Sequence, residues 1–177
     1  MLSVILLAYD TTLHAPARDG AQLRESVVRS LSSLVDGAIQ GLIADAVLAG
    51  PRDAALGAIA DEAGCDLVED NAPVGGLLAA LARVRHEDVF LFTAGHAVER
   101  GFIEEARDVA AFGGLGRARL LRVAPDSVLT RFAPNLARPV GLLARKEVLV
   151  ESAMVELPLL ARRLRCADLT ARARKCR

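Results

Sequence analysis

The 177-residue chain has no tryptophan and a single tyrosine, and aromatic residues make up only 3% of it. Single-stranded nucleic acid is held largely by stacking bases on aromatic faces, so no nucleic-acid partner is expected. Formal net charge is zero, which removes the global field that would draw a polyanion to the surface. Cysteine is scarce as well. Cys65, Cys166 and Cys176 are odd in number and form no CxxC pair, which fits a reducing compartment and argues against a zinc site. His14, His86 and His96 are isolated from one another and read as structural or exposed side chains, not as a metal cluster. No apolar run reaches the roughly 18 residues that a membrane-spanning helix needs. The opening "MLSVILLAYD" lacks the basic region and small-residue cleavage site of a secretory leader. A cytoplasmic protein is expected.

One stretch departs from neutrality. Arg162, Arg163, Arg165, Arg172, Arg174, Lys175 and Arg177 are opposed over the same span by Asp168 alone. The tract reads as a solvated terminal segment, or as a contact for an acidic protein partner or the anionic inner face of a membrane.

What the chain does have is apolar residues, 53% against 25% charged, enough for one compact domain with a sizeable core. "SVILLA" (3–8) is a continuous apolar run, the pattern of a strand covered on both faces. Asp19 and Gln22 form a candidate capping box, and Leu23, Val27, Leu31 and Leu34 follow at helical spacing. "DAVLAG" (45–50) is a second strand. Ala55, Leu56, Ile59, Ala60 and Ala63 make the next helical face, with Gly64 as its stop. "CDLVE" (65–69) and "VFLF" (89–92) are further strands. Between them Asn71 is placed to cap a helix carrying Leu77, Leu78, Leu81 and Val84, and Phe102, Ile103, Ala106, Val109 and Ala110 line a helix after the last.

Four strand–helix alternations predict a mostly parallel α/β sheet with helices on both faces. The regularity weakens after "GGLG" (113–116). "ARLLRVA" (118–124) and "PVGLLA" (139–144) are strand candidates, and "ELPLLARRL" (156–164) reads as the final helix. Ligands in such sheets bind beyond the carboxyl ends of the strands. The positions singled out are therefore Tyr9–Asp10, 49–53, 69–76 and 93–99, the last containing the carboxylate-free turn Thr93-Ala94-Gly95-His96-Ala97.

These windows resemble family 2 glycosyltransferases of the type A fold. "LSVILLAYD" is similar to that family's opening "SVIVPTLNE", "GHAVERGFIEEARDVAAF" to "DTRLPPGWLEEVRRFL", and "ELPLLARRLRCADLTARAR" to the late "EDVDLARRLGRRRLVRLPAR". The resemblance implies one glycosyltransferase-like domain over 1–177, a nucleotide-binding βα half (1–112) followed by an acceptor-side half and basic segment (113–177). It also implies a nucleotide-sugar donor, a Mg²⁺ or Mn²⁺ ion held by a carboxylate pair, and a carboxylate base on the acceptor hydroxyl. Carried onto this chain, the nucleotide carboxylate falls on Ala49, the metal pair on Gly95 and Ala97, and the base on Leu157, beside a preserved Glu156. Ala and Gly ligate nothing, and His96 is a poor replacement for two carboxylates. Each lost charge-stabilising group costs on the order of 10² to 10³ in rate.

The expectation is therefore a degenerate transferase retained for binding or scaffolding. Tyr9, Asp10 and Asp53 face any nucleotide, and Glu156 stands nearest an acceptor. Two alternatives stay open. One is a divergent but active glycosyltransferase. The other is a molybdenum-cofactor-type nucleotidyltransferase, whose "LAAGxSxRxG" loop is matched here only by "LLAYDTTLHAPARDG".

Overall fold

The computed structural model describes residues 1–9, 19–112 and 114–176. Its strands are β1 (Leu2–Leu7), β2 (Ile43–Gly50), β3 (Asp66–Glu69), β4 (Asp88–Thr93), β5 (His96–Val98), β6 (Arg119–Val123), β7 (Pro139–Arg145) and β8 (Ala167–Lys175). The helices are α1 (Gly20–Ser32), α2 (Val35–Ile39), α3 (Gly57–Ala63), α4 (Pro73–Arg83), α5 (Phe102–Ala111), α6 (Val128–Phe132), α7 (Lys146–Ser152) and α8 (Leu157–Arg163).

All eight strands belong to one sheet in the order β3-β2-β1-β4-β7-β6-β8-β5. β1 pairs in parallel with β2 and β4, β2 with β3, and β6 with β8. β7 is antiparallel to both β4 and β6, and β5 is antiparallel to β8. The sheet is thus mostly parallel, and the tips of β6 and β8 lie on the same edge as those of β1 to β4.

The apolar runs explain the centre. All six residues of β1 are buried. Val4 and Leu6 point into one core with Val27, Leu56, Ala60, Phe90, Phe92, Phe102 and Ile103. Ile5 and Leu7 point into the other with Leu77, Leu81, Leu91, Leu142, Leu149 and Leu160. Each such side chain taken out of water contributes about 1.5–3 kcal/mol, so a strand buried on both faces has little room for polar residues. The exception is Ser3, fully buried. Its hydroxyl donates to Asp45 Oδ1 (2.7 Å) and accepts from the His86 N–H (3.0 Å).

Several local expectations are corrected. Asp19 does occupy the N-cap of α1, but its side chain makes no capping bond. Ala72, not Asn71, is the N-cap of α4. α3 does stop at Gly64, in the left-handed region with φ 65°.

The largest correction concerns the basic tract. Ala167–Lys175 are not a solvated tail but β8, inserted between β6 and β5, while Arg177 lies outside the described residues. Leu169 and Ala173 are buried, with Ala171 packed against the same core. β8 carries a register shift against β6. The amides of Thr170 and Ala171 there donate to the two oxygens of Glu105 on α5, each at 2.7 Å. Within the sheet Arg122 Nε donates to Asp168 Oδ1 at 2.8 Å, and its Nη1 donates to the Ala137 carbonyl. Among the described residues, no helix is long and apolar enough to cross a membrane.

Candidate functional site

Tyr9, two residues beyond the end of β1, is 7% exposed. Its hydroxyl donates to the Asp70 carbonyl at 3.0 Å, joining the tip of β1 to the loop after β3. The ring lies directly on Gly76 in α4, where a Cβ would overlap the phenol oxygen. Burial, with the Asp70 carboxylate adding to it, pushes the Tyr9 phenol up to about 12. Asp10, the partner predicted for Tyr9, lies outside the described residues.

The next loops are braced against each other. The Asp70 N–H donates to the Gly50 carbonyl (3.0 Å), and Asp70 Oδ1 accepts from the Ala72 N–H (2.8 Å). Asn71 Oδ1 accepts from the Arg52 N–H at 3.0 Å. Asn71 thus links the loops after β2 and β3 and does not cap its own helix. Asp53 sits in the 3₁₀ turn Arg52–Ala54 and is exposed. Among the described residues its carboxylate has no hydrogen-bond partner.

The two-residue turn Ala94-Gly95, with Gly95 at φ 91°, leads from β4 to β5, which pairs with β8 and not with β4. All of 93–97 is buried. Hydrogen bonds hold its backbone and the start of β5 in place. The Ala94 N–H donates to the Leu7 carbonyl (2.9 Å), and the Gly95 N–H to Ser30 Oγ (3.0 Å). The Gly95 carbonyl accepts from the Cys176 N–H (2.9 Å), and the Val98 N–H donates to Ser33 Oγ (3.2 Å). The His96 ring is 8% exposed, with Nδ1 3.4 Å from the Thr93 carbonyl.

The side chains of this turn therefore offer one hydroxyl and one imidazole, a set that does not fit Mg²⁺ or Mn²⁺, which favour several hard oxygens. Among the described residues, no group of three or more His, Cys, Asp or Glu side chains is placed to hold a metal ion.

Glu156 is exposed at the N-terminus of α8. It lines a cavity of about 230 Å³ together with Thr93, Arg138 and Leu157. The fold thus brings Glu156 to the tip of β4, while Tyr9 and Asp53 belong to the neighbouring loops after β1 and β2. Sequence reasoning missed Ser30, Arg138 and the bracing role of Asp70. Asp70 lay inside the window 69–76. Ser30 carried no signal, because its partner Gly95 is 65 positions away.

No protein-family model matches the chain, and no curated protein does either. Solved structures do. HddC from Yersinia pseudotuberculosis superimposes with a TM-score of 0.58 at 14% identity, over 100% of this chain and 90% of its own. Glucosyl-3-phosphoglycerate synthase from Mycobacterium tuberculosis gives 0.57 at 17%, over 94% and 68%. The 4-diphosphocytidyl-2C-methyl-D-erythritol synthase of Anaerococcus prevotii gives 0.60 at 9%, over 98% and 88%. At identities this low the likeness establishes the fold and no more: the chain is an α/β domain with a fold like that of type A glycosyltransferases.

Proposed function

We propose that this chain is a glycosyltransferase-like domain that keeps a nucleotide-sugar mouth at the tips of β1 to β4, has given up metal-dependent transfer, and serves in binding or scaffolding. The observation that carries the reading is the turn 93–97. The positions at which the resembled family holds its cation are occupied by Gly95 and Ala97, and the backbone between them is tied into α1, β1 and the end of the chain. A loop engaged on all sides in this way serves the fold, and opening it to admit a hydrated ion would break buried hydrogen bonds at about 1–3 kcal/mol each.

Donor contacts fall to Tyr9, Asp10 and Asp53. Two structural neighbours are consistent with a phosphate-bearing ligand in this fold: HddC has been solved with GMP-PN and glucosyl-3-phosphoglycerate synthase with phosphoglyceric acid. A protein or membrane partner, if one docks, meets Arg162 and Arg163, which are exposed in the last turn of α8.

One observation favours retained transfer instead, namely Glu156 beside Thr93 in the same cavity. Calorimetric titration with UDP- and GDP-sugars, with Mn²⁺ and with a chelator, separates the two. Binding indifferent to the metal and without sugar release supports the proposal. Metal-dependent binding tighter than millimolar, or turnover abolished by Glu156→Gln, overturns it.

A further inference from the structure

A second and larger cleft opens on the other half of the sheet. β6 leaves its tip through Ala124, Pro125 and Asp126, and β8 finishes with Arg174 and Lys175, followed by Cys176. The last turn of α1 adds Arg29 to the lining, and the open cleft has a volume of about 880 Å³. Ligand sites commonly have volumes of this order.

Among the described residues three cations, Arg29, Arg174 and Lys175, line the cleft against one carboxylate, Asp126. In a chain of zero formal charge this is a local concentration, not the reflection of a basic protein. Arg29 is already engaged by Glu25 at 2.6 Å. Arg174 and Lys175 are exposed and, among the described residues, their side chains have neither a hydrogen-bond nor an ion-pair partner. Consecutive on β8, the two leave the strand on opposite faces, and both line the cleft where the strand ends.

Register decides what the pair faces. In the β5–β8 ladder Lys175 lies opposite His96 and Arg174 opposite Ala97. Ala97 both lines the cleft and stands where the resembled family would hold its cation. We infer that Arg174 and Lys175, supported by Arg29, form a metal-independent diphosphate site, their fixed positive charge standing in for the divalent ion. The serine hydroxyls at the rim, Ser32 and Ser33, donate to carbonyls of their own helix, so recognition falls to the cations. Guanidinium and ammonium groups suit a phosphate through charge-assisted hydrogen bonds. The inference rests on the nucleotide-sugar reading only for the source of the diphosphate. The cleft's affinity for the anion stands separately.

The test is titration of the full chain with inorganic pyrophosphate in chelator at low salt. The comparison is with Arg174→Gln/Lys175→Gln and, as a charge control at the opposite edge of the sheet, Arg85→Gln. The expected result is binding that Arg85→Gln leaves alone, that the double variant weakens about tenfold or more, and that added salt also weakens. Both altered side chains are exposed, so an unchanged melting midpoint verifies that the double variant is folded. No pyrophosphate binding by the wild type, or equal binding by the folded double variant, overturns the inference. Displacement by UDP assigns the diphosphate to a nucleotide, and displacement by phosphatidic-acid vesicles assigns the phosphate to a lipid. Failure of UDP-sugars in calorimetry alongside persistent pyrophosphate binding would sink the nucleotide reading and leave the cleft standing.

Discussion

Replacing Gly76 by alanine isolates the contact that shapes the mouth of the sheet. Gly76 lies in the first turns of α4, where alanine should stabilise the helix by about 1 kcal/mol on propensity alone. The tertiary contact opposes this. A Cβ at Gly76 would come within 2.9 Å of Tyr9 Cζ and would overlap the hydroxyl. The ring has little room to move, being 7% exposed and anchored to the Asp70 carbonyl. Overpacking of this kind costs about 1–3 kcal/mol, and dragging the hydroxyl off its acceptor adds about 1 kcal/mol. Gly76→Ala should therefore destabilise the domain by about 1–3 kcal/mol, a fall in melting midpoint of about 2–4 °C per kcal/mol for a chain of this size.

A double-mutant cycle makes the argument specific. Tyr9→Phe removes the clashing oxygen, so Gly76→Ala in that background should lose most of its cost, with a coupling of about 1–2 kcal/mol. Urea unfolding followed by circular dichroism measures all four corners. A Gly76→Ala protein more stable than the parent, or a cycle additive to within a few tenths of a kcal/mol, would refute the close approach of α4 to the tip of β1.

Further outcomes follow from other parts of the fold. Tyr9 is the only tyrosine and no tryptophan obscures it, so its ultraviolet titration is direct: tyrosinate should form near pH 12 and not near 10. Because the fold favours the neutral phenol, stability should be at its full value below about pH 10 and decline as the pH rises towards 12; a midpoint at the ordinary value would contradict the burial. Arg122→Met leaves Asp168, 26% exposed, without its partner inside the sheet, and should cost about 2–3 kcal/mol in chemical denaturation; a loss of only a few tenths would place the pair on the surface. Cys65 and Cys166 are both pushed up, chiefly by burial, so at neutral pH they should react with a thiol reagent more slowly than free cysteine. Mass-spectrometric counting of labelled sites checks this, and rapid labelling at either would contradict it.

The centre of the fold was legible because its physics is local. A parallel strand with helices on both faces has to be apolar at nearly every position, and "SVILLA" and "VFLF" state that directly. Helical stripes such as Leu23-Val27-Leu31 and the stop at Gly64 likewise depend on near neighbours. The candidate windows followed from the rule that ligands sit beyond strand ends, which singled out Tyr9 and Asp53 without knowledge of what each touches; Glu156 came from the family resemblance alone.

β8 was hidden for the opposite reason. "ADLTARARK" alternates Leu169, Ala171 and Ala173 with Thr170, Arg172 and Arg174, a two-residue period, but its apolar members are mostly alanines and its charges read as a solvated tail. Only packing against β6 and α5 makes it a strand, with Glu105 receiving the two amides left over by the register shift. β5, three residues long, has no pattern to read at all.

Taken alone, the sequence determined the layer of apolar strands, the helices that cover it and the absence of carboxylates from the turn after β4, since each is a property of composition and spacing within a few residues. Tertiary structure alone decided that Ser30 holds Gly95, that Gly76 admits Tyr9, and that Arg174 and Lys175 come to stand across from Ala97 and His96. Those pairings join residues about 65 to 80 positions apart, whose meeting is set by the order and register of the sheet, and loop-closure physics carries no mark of them in the local chain.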